Sequence, residues 1–202
     1  MCDDIQKIQS KLKTKLTEKR YIHTLGVQYT SAALAMRYRI SIFDASMAGL
    51  LHDCAKNYSN EELIKRCQKN GIDITDVELR NGFLLHAKLG SYYAKSKYGV
   101  DNEEILSAIR WHTTGKPGMS TLEAIVFTAD YIEPSRKPLP NLDDIRNMAY
   151  IDLDEAVYMI LDSTLNYLGS EAKTDNKGRE IDNNTVEAYI YYKKIHDSKF
   201  SL

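Results

Sequence analysis

Apolar residues recur every three or four positions along most of this chain, and that spacing constrains the fold more than any other feature. One such stripe consists of Ile22, Leu25, Tyr29, Ala33 and Met36. This period places the stripe on one face of an α-helix. The alternation typical of strands is hard to find anywhere, and no internal repeat or low-complexity segment appears. We therefore predict an all-α bundle.

Capping and breaking residues divide the pattern into separate helices. Ser59, Asp101 and Ser120 each precede a glutamate by three positions, as in a capping box. The four prolines all fall between residues 115 and 141. We expect a surface loop at residues 170–184, which are polar. The helices are predicted at about 4–15, 18–37, 43–53, 60–70, 85–97, 102–112, 121–132, 141–149, 153–169 and 184–196.

Composition excludes several classes of protein. The 202 residues carry a net charge of -1, which argues against nucleic acid or membrane as a partner. The three cysteines are an odd number without disulfide spacing, and no apolar run approaches the roughly 18 residues that span a bilayer. The N-terminal residues also lack the apolar stretch of a signal peptide. We expect a cytoplasmic protein with reduced thiols.

Buried charge is the strongest chemical signal in the sequence. Asp53 and Asp130 each follow a run of apolar helical residues, where an ionised carboxylate is costly unless it is paired or bound to metal. Taken singly, each histidine is read more readily as a satisfied core residue. Four of them fall on four different predicted helices: His23, His52, His86 and His112.

Metal ions would balance these groups, because no matching buried arginine is evident in the same helices. Mixed nitrogen and oxygen ligands without nearby thiolates suit iron(II), manganese, cobalt, nickel or zinc, and argue against a closed structural zinc site. The adjacent pair His52 and Asp53 could hold one metal ion or bridge two. Cys54 adjoins Asp53 but is interpreted as a packing residue.

Nearly the whole chain resembles the HD-domain superfamily and, within it, the YqeK family of symmetrical diadenosine tetraphosphate hydrolases. The matching segments are RYIHTLGV at 20–27, LLHD at 50–53, LHAKLG at 85–90, IRWHTTGKPGMS at 109–120 and ADYIEPSR at 129–136. The resemblance implies one metal site formed by His23, His52, Asp53 and Asp130. It implies a second site formed by His86 and His112, with Asp53 as the bridge, and therefore two divalent transition-metal ions, iron first among them.

The resemblance also implies an activity: hydrolysis of diadenosine tetraphosphate to two ADP, with a metal-bridging hydroxide attacking a central phosphate. Asp53, Lys56, Asp130 and Arg136 are then the catalytic residues. The implied substrate contacts are His23, Lys56, His86, His112, Thr113, Thr114, Gly115, Lys116, Asp130, Tyr131, Arg136, Arg179 and Ile181. From the residues alone, an ordinary helix-connecting turn is preferred for the 113–118 segment, and a solvated side chain stays the alternative for Lys56 and for Arg136.

One domain is expected over residues 1–202. Its metal-site core would span about 18–136, and helices at about 141–200 would complete the bundle and the nucleotide pocket. A homodimer is left open. Two other functions stay open as well: an HD-type nucleotidase or alarmone phosphohydrolase of other specificity, and a non-catalytic nucleotide-binding module.

Overall fold

The computed structural model describes residues 2–174 and 180–200, and within them all regular structure is helical. The prediction of an all-α bundle is confirmed. A 3₁₀ turn at Gly82–Leu84 precedes α6. The helices are α1 (Cys2–Lys13), α2 (Glu18–Tyr38), α3 (Ile42–Leu51), α4 (Asn60–Lys69), α5 (Asp76–Arg80), α6 (Leu85–Tyr98), α7 (Glu103–Trp111), α8 (Thr121–Ile132), α9 (Leu142–Met148), α10 (Leu153–Thr174) and α11 (Asn183–Phe200).

Helices α3 and α8 lie at the centre of the bundle because almost every side of each is apolar. Residues 45–51 of α3 and 122–129 of α8 are all buried. A helix without a polar face has to be enclosed by others, and α2 and α7 contact both of them. The residues that continue these two helices therefore project into the interior.

A glycine lets α2 and α3 approach closely. A Cβ atom at Gly49 would lie 2.8 Å from the hydroxyl of Ser31 and 3.0 Å from the carbonyl oxygen of Val27. Any larger residue would push the two helices apart. This contact keeps the polar residues of α2 next to those at the end of α3.

The capping signals are confirmed in two cases and wrong in a third. Ser59 and Ser120 form capping boxes with Glu62 and Glu123. The N-cap of α7 is Asn102 rather than Asp101, and it accepts a hydrogen bond from the amide of residue 104. Helix α5 was not predicted, although residues 75 and 78 form the same capping box at its start.

The C-terminal part is more helical than predicted. Helix α10 continues to Thr174, past the expected end at about 169, so the polar segment begins as helix rather than as loop. Residues 175–179 lie outside the described part of the chain. None of the described helices combines the length and the apolarity that a membrane crossing requires.

Candidate metal centre

Six polar side chains from five helices or their ends converge in the interior. His23 lies in α2, His52 and Asp53 follow α3, His86 is in the first turn of α6, His112 follows α7, and Asp130 is near the end of α8. All four imidazoles and Asp53 are buried, whereas the side chain of Asp130 is 22% exposed.

The distances show that these groups form one continuous cluster. The Nε2 atom of His23 lies 3.1 Å from Oδ1 of Asp130 and 3.3 Å from Nε2 of His52. The Nε2 atom of His86 lies 3.1 Å from that of His112 and 3.3 Å from Oδ1 of Asp53. Asp53 Oδ2 is 3.4 Å from Nε2 of His52 and joins the two ends of the cluster.

Three of the histidines point unprotonated nitrogens at one another. His52, His86 and His112 each donate their Nδ1 proton to the carbonyl oxygen of the residue three positions earlier, at 2.7, 2.5 and 2.7 Å respectively. In a neutral imidazole the other nitrogen then carries a lone pair. These lone pairs, together with the carboxylates, make an arrangement of acceptors that suits a cation.

One buried carboxylate oxygen has no hydrogen-bond partner. Oδ1 of Asp53 is fully enclosed without a donor, although it lies 3.3 Å from the His86 ring and 3.7 Å from the His112 ring. An orphaned buried acceptor is costly. Metal coordination would satisfy it, so the residues present fit a divalent ion.

The ligand atoms fall into two overlapping groups, each with atoms within 4.8 Å of one another. The first consists of His23, His52 and Asp130, and the second of His52, Asp53 and His112. Mixed imidazole and carboxylate ligands suit divalent transition metals. Cys54 belongs to neither group, and its thiol donates instead to the carbonyl oxygen of Gly90 at 3.5 Å.

Two arginines partly neutralise the carboxylates of Asp53 and Asp130. The sequence analysis, which found no matching arginine in the same helices, did not predict these ion pairs. Arg20 Nη1 lies 2.6 Å from Oδ2 of Asp53, and Arg136 Nη2 lies 2.7 Å from Oδ1 of Asp130. Burial alone would raise the pKa of Asp53, but the surrounding imidazoles outweigh it and hold that pKa well below its usual value. Both carboxylates therefore remain ionised.

Lys56 reaches the same interior. Its ammonium donates to Nε2 of His86 at 3.0 Å, and burial lowers its pKa. Burial and this nearby cation lower the pKa of His86 to about 4. Lys56 is thus placed beside the cluster, and its imidazole neighbour stays neutral near pH 7.

Glu133 supports His23 from the far side, a role that the sequence analysis missed. Its side chain is 1% exposed and accepts from Nδ1 of His23 at 3.0 Å and from the amide of Ser135 at 2.6 Å. Gly26 makes room for it, because a Cβ there would collide with the Glu133 carboxylate. A glycine inside a helical pattern was the one sign in the sequence that another group packs closely against α2 at this point.

The 113–116 segment divides into parts near the cluster and parts away from it. The hydroxyl of Thr113 lies 3.1 Å from Nε2 of His86 and 3.0 Å from Nε2 of His112. Thr114 instead hydrogen-bonds to the carbonyl of Gly115, whose φ of +66° suits glycine. The ammonium of Lys116 pairs with Glu123 at 2.8 Å. Only Thr113 contacts the cluster directly.

The remaining predicted substrate contacts are Tyr131, Ile181 and Arg179. Tyr131 is half-buried and packs against the core. Ile181 is half-buried just before α11, and Arg179 lies outside the described residues. Next to it, Glu180 forms a paired hydrogen bond with Arg80 of α5, which fixes this segment near the turn that precedes His86.

A helical bundle enclosing histidines and aspartates in this way defines a class of metal-dependent hydrolases. The sequence profile of the HD domain matches residues 20–135, and the chain belongs to the HD-domain family. The chain is 40% identical over 157 residues to the symmetrical bis(5'-nucleosyl)-tetraphosphatase of Halalkalibacterium halodurans, covering 78% of this chain and 83% of that protein.

A second relative and a solved structure agree over almost the full length. The symmetrical bis(5'-nucleosyl)-tetraphosphatase of Staphylococcus aureus is 36% identical, with 94% of each chain covered. A crystal structure from Clostridium acetobutylicum, described as a predicted HD superfamily hydrolase involved in NAD metabolism, is 40% identical. It superposes with a TM-score of 0.87 over 94% of this chain and 97% of that one.

Proposed function

We propose that this chain is a metal-dependent symmetrical bis(5'-nucleosyl)-tetraphosphatase that hydrolyses diadenosine tetraphosphate to two ADP. The observation that carries the proposal is the buried cluster in which unprotonated imidazole nitrogens and an unpartnered oxygen of Asp53 face a common centre. The relatives named for this activity at 36–40% identity support the choice of substrate.

The six cluster residues would hold two divalent transition-metal ions: His23, His52, Asp53, His86, His112 and Asp130. Iron is the first candidate, and such ligands also accept manganese, cobalt, nickel and zinc. When bound, such ions supply an activated water near neutral pH and polarise a phosphoryl oxygen. No thiol or hydroxyl nucleophile of the protein is needed.

The protein's own cations complete the site. Lys56 and Arg136 both contact cluster residues, at 3.0 Å from His86 and 2.7 Å from Asp130. Positive groups fixed at these points stabilise charge that builds up on the phosphates and on the departing ADP. The hydroxyl of Thr113, between two of the imidazoles, is placed to orient a phosphate oxygen.

Product analysis tests the proposal directly. The metal-loaded protein should convert diadenosine tetraphosphate to ADP alone, and in ¹⁸O-labelled water one of the two ADP molecules should carry the label on its β-phosphate. The chelated protein is the control. Formation of AMP and ATP would contradict the symmetrical reaction.

A panel of substrates distinguishes the proposed activity from that of a nucleotidase or alarmone phosphohydrolase of other specificity. Deoxynucleotides, guanosine alarmones and NAD should each be turned over more slowly than diadenosine tetraphosphate, and the opposite ranking would favour a nucleotidase of other specificity. A protein that neither contains nor takes up transition metal would instead favour a non-catalytic module. Homodimer formation and a cytoplasmic location stay predictions.

A further inference from the structure

A cleft of about 690 Å³ opens directly onto one side of the metal centre. It runs between the start of α2 and the loop that follows α8, and His23 and Arg136 belong to its wall. Its volume falls within the range of about 300–1,000 Å³ that is usual for small-molecule sites. The six-residue cluster is therefore continuous with a space large enough for a nucleotide.

The lining of the cleft is predominantly cationic. Four basic side chains line it, Lys19, Arg20, Arg136 and Lys137, against the two carboxylates of Glu18 and Glu133. Arg20 and Arg136 are paired with Asp53 and Asp130, and Glu133 is engaged by His23 and Ser135, so the unpaired cations of the cleft are Lys19 and Lys137. Lys19 and Lys137 form no ion pair with any other described residue. In a chain with a net charge of -1, this local excess favours an anionic ligand.

Two apolar side chains stand beside these cations. Ile22 is 51% exposed and Leu139 is 42% exposed, and both line the cleft. Exposed aliphatic side chains next to phosphate-attracting cations provide the two surfaces that a nucleotide needs, one for the base and sugar and one for the phosphates.

The cleft meets the cluster on a different side from Thr113, while His23 and Arg136, which line the cleft, are also among the substrate contacts implied by the resemblance and lie where the central phosphates would be. Thr113 meets the cluster at His86 and His112, whereas the cleft meets it at His23. A substrate cut at its middle has two equal halves, which extend from the metal centre in two directions. One half needs a second subsite.

We propose that this cleft is the subsite for the second nucleoside diphosphate half of the substrate, with Lys19 and Lys137 contacting phosphates and Ile22 and Leu139 contacting the nucleoside. This inference rests on the proposed function. It adds which side chains of the chain hold the second nucleoside diphosphate.

Substrates with one and with two nucleosides test the inference. The Ile22→Ser variant should lose about five- to tenfold more kcat/KM toward diadenosine tetraphosphate than toward adenosine 5'-tetraphosphate, whose single nucleoside takes the other subsite. Met36→Ser is the matched control. It removes a 61% exposed side chain from the same helix, roughly 21 Å further along its axis, and should leave the ratio unchanged.

Calorimetry with ADP supplies a second measurement. The metal-loaded wild type should bind two ADP molecules per chain, and Ile22→Ser one, with thermal unfolding showing that both are folded. A single ADP in the wild type, or equal losses toward both substrates, would overturn the subsite while leaving the proposed function intact. A wild type that does not form ADP from diadenosine tetraphosphate would overturn both.

Discussion

The two ends of the metal cluster use the same kinds of side chain in contrasting surroundings. We call His23 and Asp130 the open half, because Asp130 is 22% exposed and the cleft reaches His23. We call His86 and His112 the closed half, since both of their side chains are 1% exposed. Asp53 contacts both halves.

These surroundings shift the pKa values of two imidazoles in opposite directions. Burial tends to lower the pKa of His23, but Asp130 and Glu133 outweigh it and raise that pKa above 6.5. Burial and Lys56 lower the pKa of His86 from 6.5 to about 4. The contrast teaches that burial and neighbouring charges, rather than the ligand type, decide where a metal has to displace a proton.

Removal of the carboxylate shared by both halves should have the largest effect. Asp53→Asn should lower kcat/KM by about a thousandfold and should reduce metal content throughout the cluster. Elemental analysis and steady-state kinetics measure both. Asp162→Asn, which changes a hydrogen-bonded aspartate of α10, is the matched control. Near-normal metal content in Asp53→Asn would show that this carboxylate is no bridge.

Variants that change a ligand in only one half should show whether the two halves bind metal independently. Asp130→Asn and His112→Gln should each lose one of the two metals and about a hundredfold in kcat. Spectroscopy of the metal that remains should differ between the two variants, because different ligands survive. If either variant lost both metals while Asp53 was intact, the division into two halves would be wrong.

The metal-free protein should become less stable in acid because of the closed half. Unfolded His86 takes up a proton as the pH falls below about 6.5, while folded His86 resists protonation until about 4. Its contribution to stability is therefore present above pH 6.5 and lost toward pH 4. His23 contributes in the opposite direction, but it is present both in wild type and in a variant that lacks only His86, so its contribution cancels when these two proteins are compared.

The free energy of unfolding can be measured with urea in the presence of a chelator. Between pH 7 and pH 5 it should fall by about 2 kcal/mol more in wild type than in His86→Gln. An identical pH dependence in His86→Gln and wild type would mean that the closed half does not exclude protons.

Glu133→Gln should have the smallest effect and should be confined to the open half. The amide keeps the shape but loses the charge that faces His23, so metal affinity there should fall about tenfold. Proton NMR of the metal-free variant should show a lowered pKa for His23, which a purely structural role would not produce. Unchanged titration of His23 would count against this positioning role.

Sequence reasoning found the residues of the cluster because a charged residue in an apolar helix is conspicuous. Asp53 and Asp130 stand out for that reason, and the all-α fold follows equally directly from the three- and four-residue spacing. The substrate contacts were harder to predict. Lys116 looked like a phosphate ligand beside a glycine, yet the structure pairs it with Glu123.

Two supporting residues escaped prediction because their partners are distant in sequence. Arg20 resembles a solvated residue at a helix start, and its partner Asp53 lies 33 positions away. Glu133, next to a proline, resembles a simple helix stop, and its partner His23 is 110 positions away. Local patterns carry no information about such pairs, which depend on how helices pack.

The bonds from His52, His86 and His112 to carbonyl oxygens three positions earlier have one further consequence. Each ring is oriented by its own stretch of backbone, so the loss of a metal ion need not loosen the rings. The conformational entropy of ordering these rings is lost during folding rather than during metal capture. Ions of different radius should therefore exchange within one rigid frame, and supply in the cell would select among them.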